Sequence, residues 1–341
     1  MPKNRGVTIY DIAKHLKLSP SSVSRALKDH PSIGAKTKEK VKKYAAKMGY
    51  RPNNIAASLR NNKTGTIGAI LPRMDRPFSS SLISGIEQVA NAERYNVIFS
   101  QSHDNYEMEV KNAGALFASR VEGLIVSLCV DTIDFSHFAQ FVEQDIPVVL
   151  VDRVTNQLNC DLVMIDNFKA AFDATEHLIT QGCKRIAHVT GKASSMLYSN
   201  RIRGYKAALE KYGVQFNEEY LIHNSLSAED GHLAANQLFG LSEPPDGVFV
   251  ANDTAAVSVI QNAKSKQIKV PDELAVIGFN NDPVCMIIDP ALSTIAHPAV
   301  DMGKISAEQV FKKKSFDAGI VAPEKLILST ELIVRSSSLR I

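Results

Sequence analysis

Between residues 66 and 280, short apolar runs alternate with stretches in which apolar residues recur at helical spacing. The runs are TIGAILP, NVIFSQ, EGLIVS and PVVLV, and the alternation then restarts with RIAHVT, YLIH, GVFVA and LAVIGF. Continuous apolar strands that alternate with amphipathic helices indicate parallel sheets covered by helices on both faces. Two successive rounds of the pattern predict two doubly wound α/β lobes of similar topology.

The first 50 residues have a different pattern, which predicts three short helices. Thr8 is a candidate N-cap for the first helix, and Ser19 with Pro20 forms a cap and first-turn pair for the second. A third helix is predicted over residues 36–48 and ends at GYRP, where Gly49 suits a C-cap. The residues predicted to form the small core between these helices are Ile9, Ile12, Ala13, Leu16, Val23, Ala26, Leu27, Val41, Tyr44, Ala45 and Met48.

Charge divides the chain at the same place as the pattern. Residues 1–60 hold 14 Lys and Arg against 3 acidic residues, a net +11, and the remaining 281 residues hold 25 against 33, a net −8. Two helices joined by a tight turn, with a third that closes a core, predict a helix-turn-helix domain. Many three-helix units bind proteins instead, but a strongly basic one favours DNA.

The outer face of the second helix has the chemistry that a major groove requires. Its short hydroxyl side chains avoid bulk, and Arg25 can pair with O6 and N7 of guanine. Lysines cover the outer side of the third helix and are expected to contact phosphate. The predicted DNA contacts in this domain are Thr8, Tyr10, Ser19, Pro20, Ser21, Ser22, Ser24, Arg25, Lys36 and Lys38.

The segment RPNNIAASLRNN, residues 51–62, can form only a short helix, from Asn53 to Arg60. Such a helix is marginal alone in water, because nucleation is costly and few hydrogen bonds offset it. Ile55 and Leu59 are its only sizeable apolar residues and cannot build a core. From the residues alone, the segment is interpreted as a flexible linker.

The motifs TIYDIA, SVSRAL, TKEKV and GYRPN resemble the N-terminus of the lactose-repressor/galactose-repressor family of bacterial transcription regulators, and the likeness continues through the whole chain. The resemblance implies that residues 53–60 are a hinge helix, which folds when two copies meet in the minor groove of the operator. It also implies that Leu59 wedges between base pairs, so Asn53, Ala56 and Leu59 join the predicted DNA contacts.

The resemblance also implies a domain organisation, with a head, a hinge and a two-lobed core. The core is expected to be periplasmic-binding-protein-like, with three crossovers between lobes that close on a small ligand. The predicted ranges are 1–50 for the helix-turn-helix domain, 51–65 for the hinge helix and linker, 66–341 for the effector-binding and dimerisation core, 66–165 with 294–322 for the N-lobe, and 166–293 with 323–341 for the C-lobe.

Ligands of open parallel sheets bind beyond the carboxyl ends of the strands, and polar residues at those ends are the candidates. The resemblance assigns effector contacts to Arg201, Asn252 and Asp152, and Asn280 stands where the family often has an aspartate. Asp253 fits an N-cap as well as a ligand contact, and Arg201 could instead pair with a carboxylate. Asp75 and Asp282 are further polar residues at strand ends. The predicted effector contacts are Phe78, Ser79, Asp152, Arg201, Asn252, Asp253 and Asn280.

Other classes of protein find less support in the sequence. No apolar run approaches the length of a membrane span, and the N-terminus lacks a signal peptide, so a cytoplasmic protein is expected. The four cysteines form no CxxC pair, and the nine histidines show no ligand spacing, so neither a metal nor a cofactor is expected. Catalytic motifs such as GxxxxGK[ST], HExxH and GxSxG are absent.

The predicted function is therefore that of a homodimeric transcriptional regulator, a repressor like most of the family. It would bind a pseudo-palindromic operator and respond to a small-molecule effector, by family frequency a sugar or a derivative. The alternative is a soluble solute-binding protein of a transport system, which would have similar lobes but a signal peptide and no basic head. A sugar-modifying enzyme would need a catalytic carboxylate pair or a nucleotide site.

Overall fold

The computed structural model describes residues 7–50, 64–315 and 322–340, and the chain divides into two compact units. One unit ends at Thr64 and the other begins at Gly65. The predicted hinge helix, with Asn53, Ala56 and Leu59, lies outside the described residues.

The first unit contains the three predicted helices, α1 (Ile9–Leu16), α2 (Pro20–Leu27) and α3 (Ala35–Lys47). Thr8 caps α1 in a capping box with Asp11, and the Ser19 hydroxyl accepts a hydrogen bond from the Ser22 N–H at the start of α2. Gly49, at φ +65°, follows α3. The side chains fully or almost fully buried between the helices are Ile12, Ala13, Val23, Ala26, Val41 and Ala45.

The second unit contains two six-stranded sheets with helices on both faces, as the alternating pattern predicts. The first sheet has the order β11-β5-β4-β3-β1-β2, and every pairing in it is parallel. Its strands are β1 (Thr66–Leu71), β2 (Asn96–Gln101), β3 (Leu124–Val126), β4 (Val148–Val151), β5 (Asp161–Ile165) and β11 (Lys325–Leu328). Its helices are α4 (Pro77–Ala92), α5 (Tyr106–Ala118), α6 (Ser136–Val142) and α12 (Ala299–Ser315).

The second sheet has the order β12-β10-β9-β8-β6-β7 and repeats the topology of the first, except that β12 is antiparallel to β10. Its strands are β6 (Ile186–Thr190), β7 (Leu221–His223), β8 (Gly247–Val250), β9 (Ala275–Asn280), β10 (Ser293–Ala296) and β12 (Glu331–Ile333). Its helices are α7 (Asn167–Thr180), α8 (Met196–Lys211), α9 (Ala228–Phe239), α10 (Asp253–Ser265) and α11 (Val284–Ile287), with a 3₁₀ turn at Glu218–Tyr220.

The chain crosses between the lobes three times, but two of the crossings lie later than expected. β10 pairs with β9 in the second sheet, so the chain enters the N-lobe only after residue 296, not at 294. β11 pairs with β5 in the first sheet, so the last crossing lies at 329–330, not at 322–323. The expected lobe ranges were wrong at these two places because the apolar pattern of a strand does not show which sheet it joins.

One apolar core cluster continues from the first sheet into the second. It joins residues such as Val149 and Ile165 to Phe249, Ile277 and Phe279 of the second lobe. In the N-lobe, α12 crosses α4 where both have glycine: a Cβ on Gly85 would lie 2.1 Å from the Val300 carbonyl oxygen. Within the described ranges, every helix is too short or too polar to cross a membrane.

Candidate DNA-binding and effector sites

Helix α2 presents its predicted DNA-reading face to solvent. Ser21 and Arg25 are exposed and Ser22 is half-buried, whereas Val23 and Ala26 point into the head core. The hydroxyl of Ser19 lies 2.9 Å from that of Ser21 and 2.8 Å from that of Ser22. The face therefore combines short hydroxyl groups with one long cation, Arg25, which forms no ion pair with any described residue.

The other predicted DNA contacts of the head differ in exposure and in whether they already form hydrogen bonds within the protein. The side chain of Tyr10, on α1, is 68% exposed, while Pro20 and Ser24 are half-buried. Lys36 is exposed, but Lys38 already donates to the carbonyl oxygen of Asp29 at 2.9 Å. Thr8 bonds to the Asp11 carboxylate of its capping box. Lys38 and Thr8 therefore have structural roles in addition to any contact with DNA.

A cavity of about 230 Å³ lies between the two lobes of the second unit. It opens at the carboxyl ends of β1, β4, β8 and β9 and at the N-terminal ends of α4 and α8. This is the edge where parallel strands collect polar side chains. Of the predicted effector contacts, those that line the cavity are Phe78, Ser79, Asp152, Arg201, Asn252 and Asn280.

Arg201 is held in the wall of this cavity by hydrogen bonds to both lengths of chain that flank it. It is 3% exposed, its Nε donates to the Asn167 side-chain oxygen, and its Nη1 donates to the carbonyl oxygen of Ala251, both at 2.9 Å. The guanidinium also lies 3.5 Å from the centroid of the Phe279 ring. Burial lowers the pKa of Arg201 to about 10, against the opposing effects of Tyr198 and Asp152. The group therefore stays charged at neutral pH, with donor capacity left over.

Asp152 and His297 face each other beside Arg201. The Nε2 of His297 lies 3.6 Å from Oδ1 of Asp152, and neither ring nitrogen of His297 has a hydrogen-bond partner among the described residues. Burial, and then the Arg201 charge, lower the pKa of His297 well below its usual value. Burial raises the pKa of Asp152, although Arg153 and Arg201 oppose this. A neutral imidazole and the Asp152 carboxyl group are thus available to a ligand with hydroxyl groups.

Asn252 caps α10, and Asp253 is the first residue of that helix. The Asn252 side-chain oxygen accepts from the Ala255 N–H at 2.8 Å, and its amide donates to the Leu226 carbonyl oxygen at 2.9 Å. Asp253 is fully buried and does not line the cavity, because its carboxylate accepts from the Asp282 N–H and from the Thr294 hydroxyl. The expected effector contact of Asp253 was therefore wrong, and its role is to hold β9 and β10 against α10.

Sequence reasoning missed several residues of the cavity wall. Arg153 pairs with Asp104 at 2.6 Å. It follows the predicted contact Asp152 directly in the sequence, and this position could have indicated it. His297 follows β10, which spans the boundary expected between the two lobes, so no signal marked it as a site residue. Asp75, by contrast, lies outside the wall and is mainly exposed, 3.6 Å from Arg73. The charged and aromatic wall residues that were missed are Arg73, Arg76, Asp104, Arg153, Tyr198 and His297.

The cavity has the chemistry of a binding site for a small polar molecule. Buried hydrogen-bonding groups fix orientation, and Phe78 and Tyr198 supply apolar faces. Within residues 7–50, 64–315 and 322–340, no cluster of side chains has the composition of a metal site. The four cysteines are free and buried.

Comparison with known proteins gives matches over both units. Residues 8–53 match the model for bacterial regulatory proteins of the lacI family, and residues 175–338 match a periplasmic binding protein-like domain. Catabolite control protein A of Priestia megaterium is 31% identical over 92% of this chain and 96% of its own length. The transcriptional repressor CytR of Escherichia coli is 30% identical over 97% of this chain and 96% of its own length.

Solved structures agree with this fold. The lac repressor dimer bound to operator and the anti-inducer ONPF has a TM-score of 0.87, with 23% identity over 98% of this chain and all of that chain. A lacI-family regulator from Enterococcus faecium with bound ribose has a TM-score of 0.71, with 25% identity over 81% of this chain and all of its own.

Proposed function

This chain belongs to the lacI family of bacterial regulatory proteins and is a DNA-binding regulator of transcription, and we propose that it represses genes under the control of a small effector. One observation carries the proposal: a basic helix-turn-helix head and a polar cavity between two lobes occur on the same chain. A solute-binding protein would need only the lobes, and the head argues against that alternative.

The regulator acts as a homodimer on a pseudo-palindromic operator. Each chain carries one reading helix, α2, and a single helix reads only a half-site of a few base pairs. A two-fold dimer therefore reads two inverted half-sites. Residues 53–60 of the two chains meet in the minor groove between the half-sites, where each Leu59 wedges between base pairs.

The effector is a sugar or a sugar derivative, held between the lobes. The relative from Enterococcus faecium binds ribose, and the cavity wall of this chain has several groups that pair with hydroxyls. Arg201, Asp152 and Asn280 contact the effector, together with Phe78 and Ser79, while Asn252 is reached at the cavity edge. Ligand contacts from both lobes change lobe closure and hence the spacing of the paired hinge helices.

The protein works by binding and carries out no chemical step. Its relatives are named as regulators, and Asp104, one of the three aspartates that line the cavity, is paired with Arg153. Because its target is genomic DNA, we place its action in the cytoplasm.

A direct test combines operator selection with one conservative change. Fragments of the host genome are selected on full-length protein and tested by mobility shift, with and without a panel of sugars. Arg201→Lys keeps the charge but loses the planar fork that bonds Asn167 and the Ala251 carbonyl oxygen. We expect unchanged operator affinity without ligand and a loss of effector response of about tenfold or more.

The matched control is Arg203→Lys, an exposed change on the same helix. An equal loss of response in both variants, or retention of none of the genomic fragments, contradicts the proposed function.

A further inference from the structure

Helix α4 begins at the cavity with an unusual first turn. Pro77 occupies the first helical position, and Arg76 stands at the N-cap without any side-chain cap. Phe78 and Ser79 of this turn line the cavity. The first N–H groups of a 16-residue helix, with its dipole, favour a negative charge at this end.

A buried polar side chain at the same place has no hydrogen-bond partner among the described residues. The ring of His297 lies 4.3 Å, centroid to centroid, from the ring of Phe78, and both its nitrogens are unpaired within the described part of the chain. The side chain of Ser79, which is 8% exposed, also lies in the cavity wall. Buried polar groups are nearly always satisfied, so His297 indicates a polar ligand at the start of α4.

The charges of the cavity wall favour an anion. Four arginines line it against three aspartates, and Asp104 is already paired with Arg153 at 2.6 Å. Burial, and then the charge of Asp253, raise the pKa of Asp282 to about 7, so this carboxyl is only partly charged at neutral pH.

The two arginines nearest the start of α4 have little pairing with carboxylates. Arg73 has only the exposed Asp75 at 3.6 Å, and Arg76 forms no ion pair with any described residue. A neutral sugar would leave these two cations without an ion pair in the cavity.

We propose that the effector is anionic, a phosphorylated or carboxylated sugar, and that its charged group binds the N-terminus of α4 between Arg73 and Arg76. This inference rests on the proposed function, since it names the class of ligand for the same cavity. His297 and Ser79 donate to the anion or to the neighbouring hydroxyl groups, and Arg201 with Asp152 bonds the sugar ring. Neutral histidine has one N–H to donate and one acceptor nitrogen, so it can donate to the anion and accept from a neighbouring hydroxyl group.

The test compares two arginines at opposite ends of α4 in the full-length protein. Arg76→Gln removes the cation at the N-terminus, and Arg94→Gln removes an exposed one just beyond the C-terminus. Thermal unfolding is followed in millimolar inorganic phosphate and in chloride at equal ionic strength. We expect phosphate to raise the melting temperature of wild type and Arg94→Gln, and to raise that of Arg76→Gln by less than half as much.

A second arm uses glucose, glucose 1-phosphate, glucose 6-phosphate, fructose 1-phosphate and glucuronate, with binding measured by calorimetry. The anionic sugar that binds should have an affinity about 10- to 100-fold higher than that of its neutral parent sugar. Arg76→Gln should remove most of that difference in affinity. The phosphate and carboxylate compounds distinguish the two sources of charge.

Equal phosphate responses in the two variants, with no preference for any anionic sugar, overturn the inference. If a neutral sugar then releases operator DNA from wild type and from Arg76→Gln alike, the anionic subsite fails and the proposed function stands. If the protein retains no operator fragment at all, the proposed function itself fails.

Discussion

At the scale of single residues, Arg25 has the chemistry and the exposure of a base-reading side chain. Arg25→Ala should cost about 1–3 kcal/mol on the operator and relax the preference at one base pair in each half-site. Titration of a panel of substituted operators at fixed salt measures both effects. The comparison variant Lys36→Ala should weaken all sequences alike and flatten the salt slope. A uniform loss for Arg25→Ala would assign this residue to phosphate instead.

Asp282 makes a pH-dependent contribution to stability. It is 6% exposed, and burial followed by the charge of Asp253 raises its pKa from 3.8 to about 7, despite the opposing charge of Arg76. The folded state therefore binds this proton more tightly than the unfolded state, so ionisation costs stability increasingly from pH 4 and fully above pH 7. Asp282→Asn should raise the free energy of unfolding at pH 8 and raise it less at pH 5.

Urea unfolding at the two pH values measures this difference in the free energy of unfolding. Ionisation of Asp282 in the folded state should cost on the order of 1 kcal/mol per unit of pKa shift. The variant Asp272→Asn, at an exposed position in the same lobe, is the control for the substitution itself. A stability difference that is the same at pH 5 and pH 8 would refute the role of burial at Asp282.

At the scale of elements, the segment 53–60 links the reading head to the core, and its prediction depends on the sequence alone. Leu59→Ala should leave the stability of the free protein unchanged and weaken specific binding strongly, because unstacking of the base pairs would cost a few kcal/mol without a wedge to compensate. Non-specific binding depends on the cations of the head and should barely change. The specificity ratio at fixed salt is the quantity to measure.

Hydrogen exchange on the DNA-free protein provides the independent check of the hinge hypothesis. Coupled folding predicts little protection of the amides at 54–60 without DNA and strong protection with it. Protected amides in the free protein, or an unchanged specificity ratio in Leu59→Ala, would contradict it.

At the scale of the whole core, an ion pair joins the two lobes at the edge of the cleft. Lys192, after β6, lies 2.7 Å from Asp131, after β3, and both side chains are more than half exposed. Exposed pairs contribute little and are screened by salt. Asp131→Ala should therefore weaken effector binding only by about two- to fivefold at low salt, and less at high salt.

Calorimetry at two salt concentrations measures this effect of the cross-lobe pair. The control is Asp173→Ala, which removes a pair with Lys169 at 2.6 Å within the single helix α7. If both variants lose the same affinity, the bridge between the lobes has no special effect on closure.

The sequence by itself determined the features that depend on neighbours along the chain. Thr8 and Ser19 cap their helices as predicted, because a cap bonds to backbone only two or three residues away. The alternation of strand and helix, and the burial of the strands, also follow from local periodicity. The basic charge of the head is a property of composition and is visible without any structure.

Only the tertiary structure decided which distant segments meet. β10 and β11 are strands of only four residues whose sequences are compatible with either sheet, and pairing with β9 and β5 assigns them. Asp253 and Asn252 are adjacent at a strand end, but one is turned into the core and the other caps α10 at the cavity edge. His297 enters the cavity because a crossover brings it beside Phe78, more than 200 residues earlier in the chain. Periodicity reports how each segment is buried, whereas a site depends on how buried segments from different parts of the chain pack together.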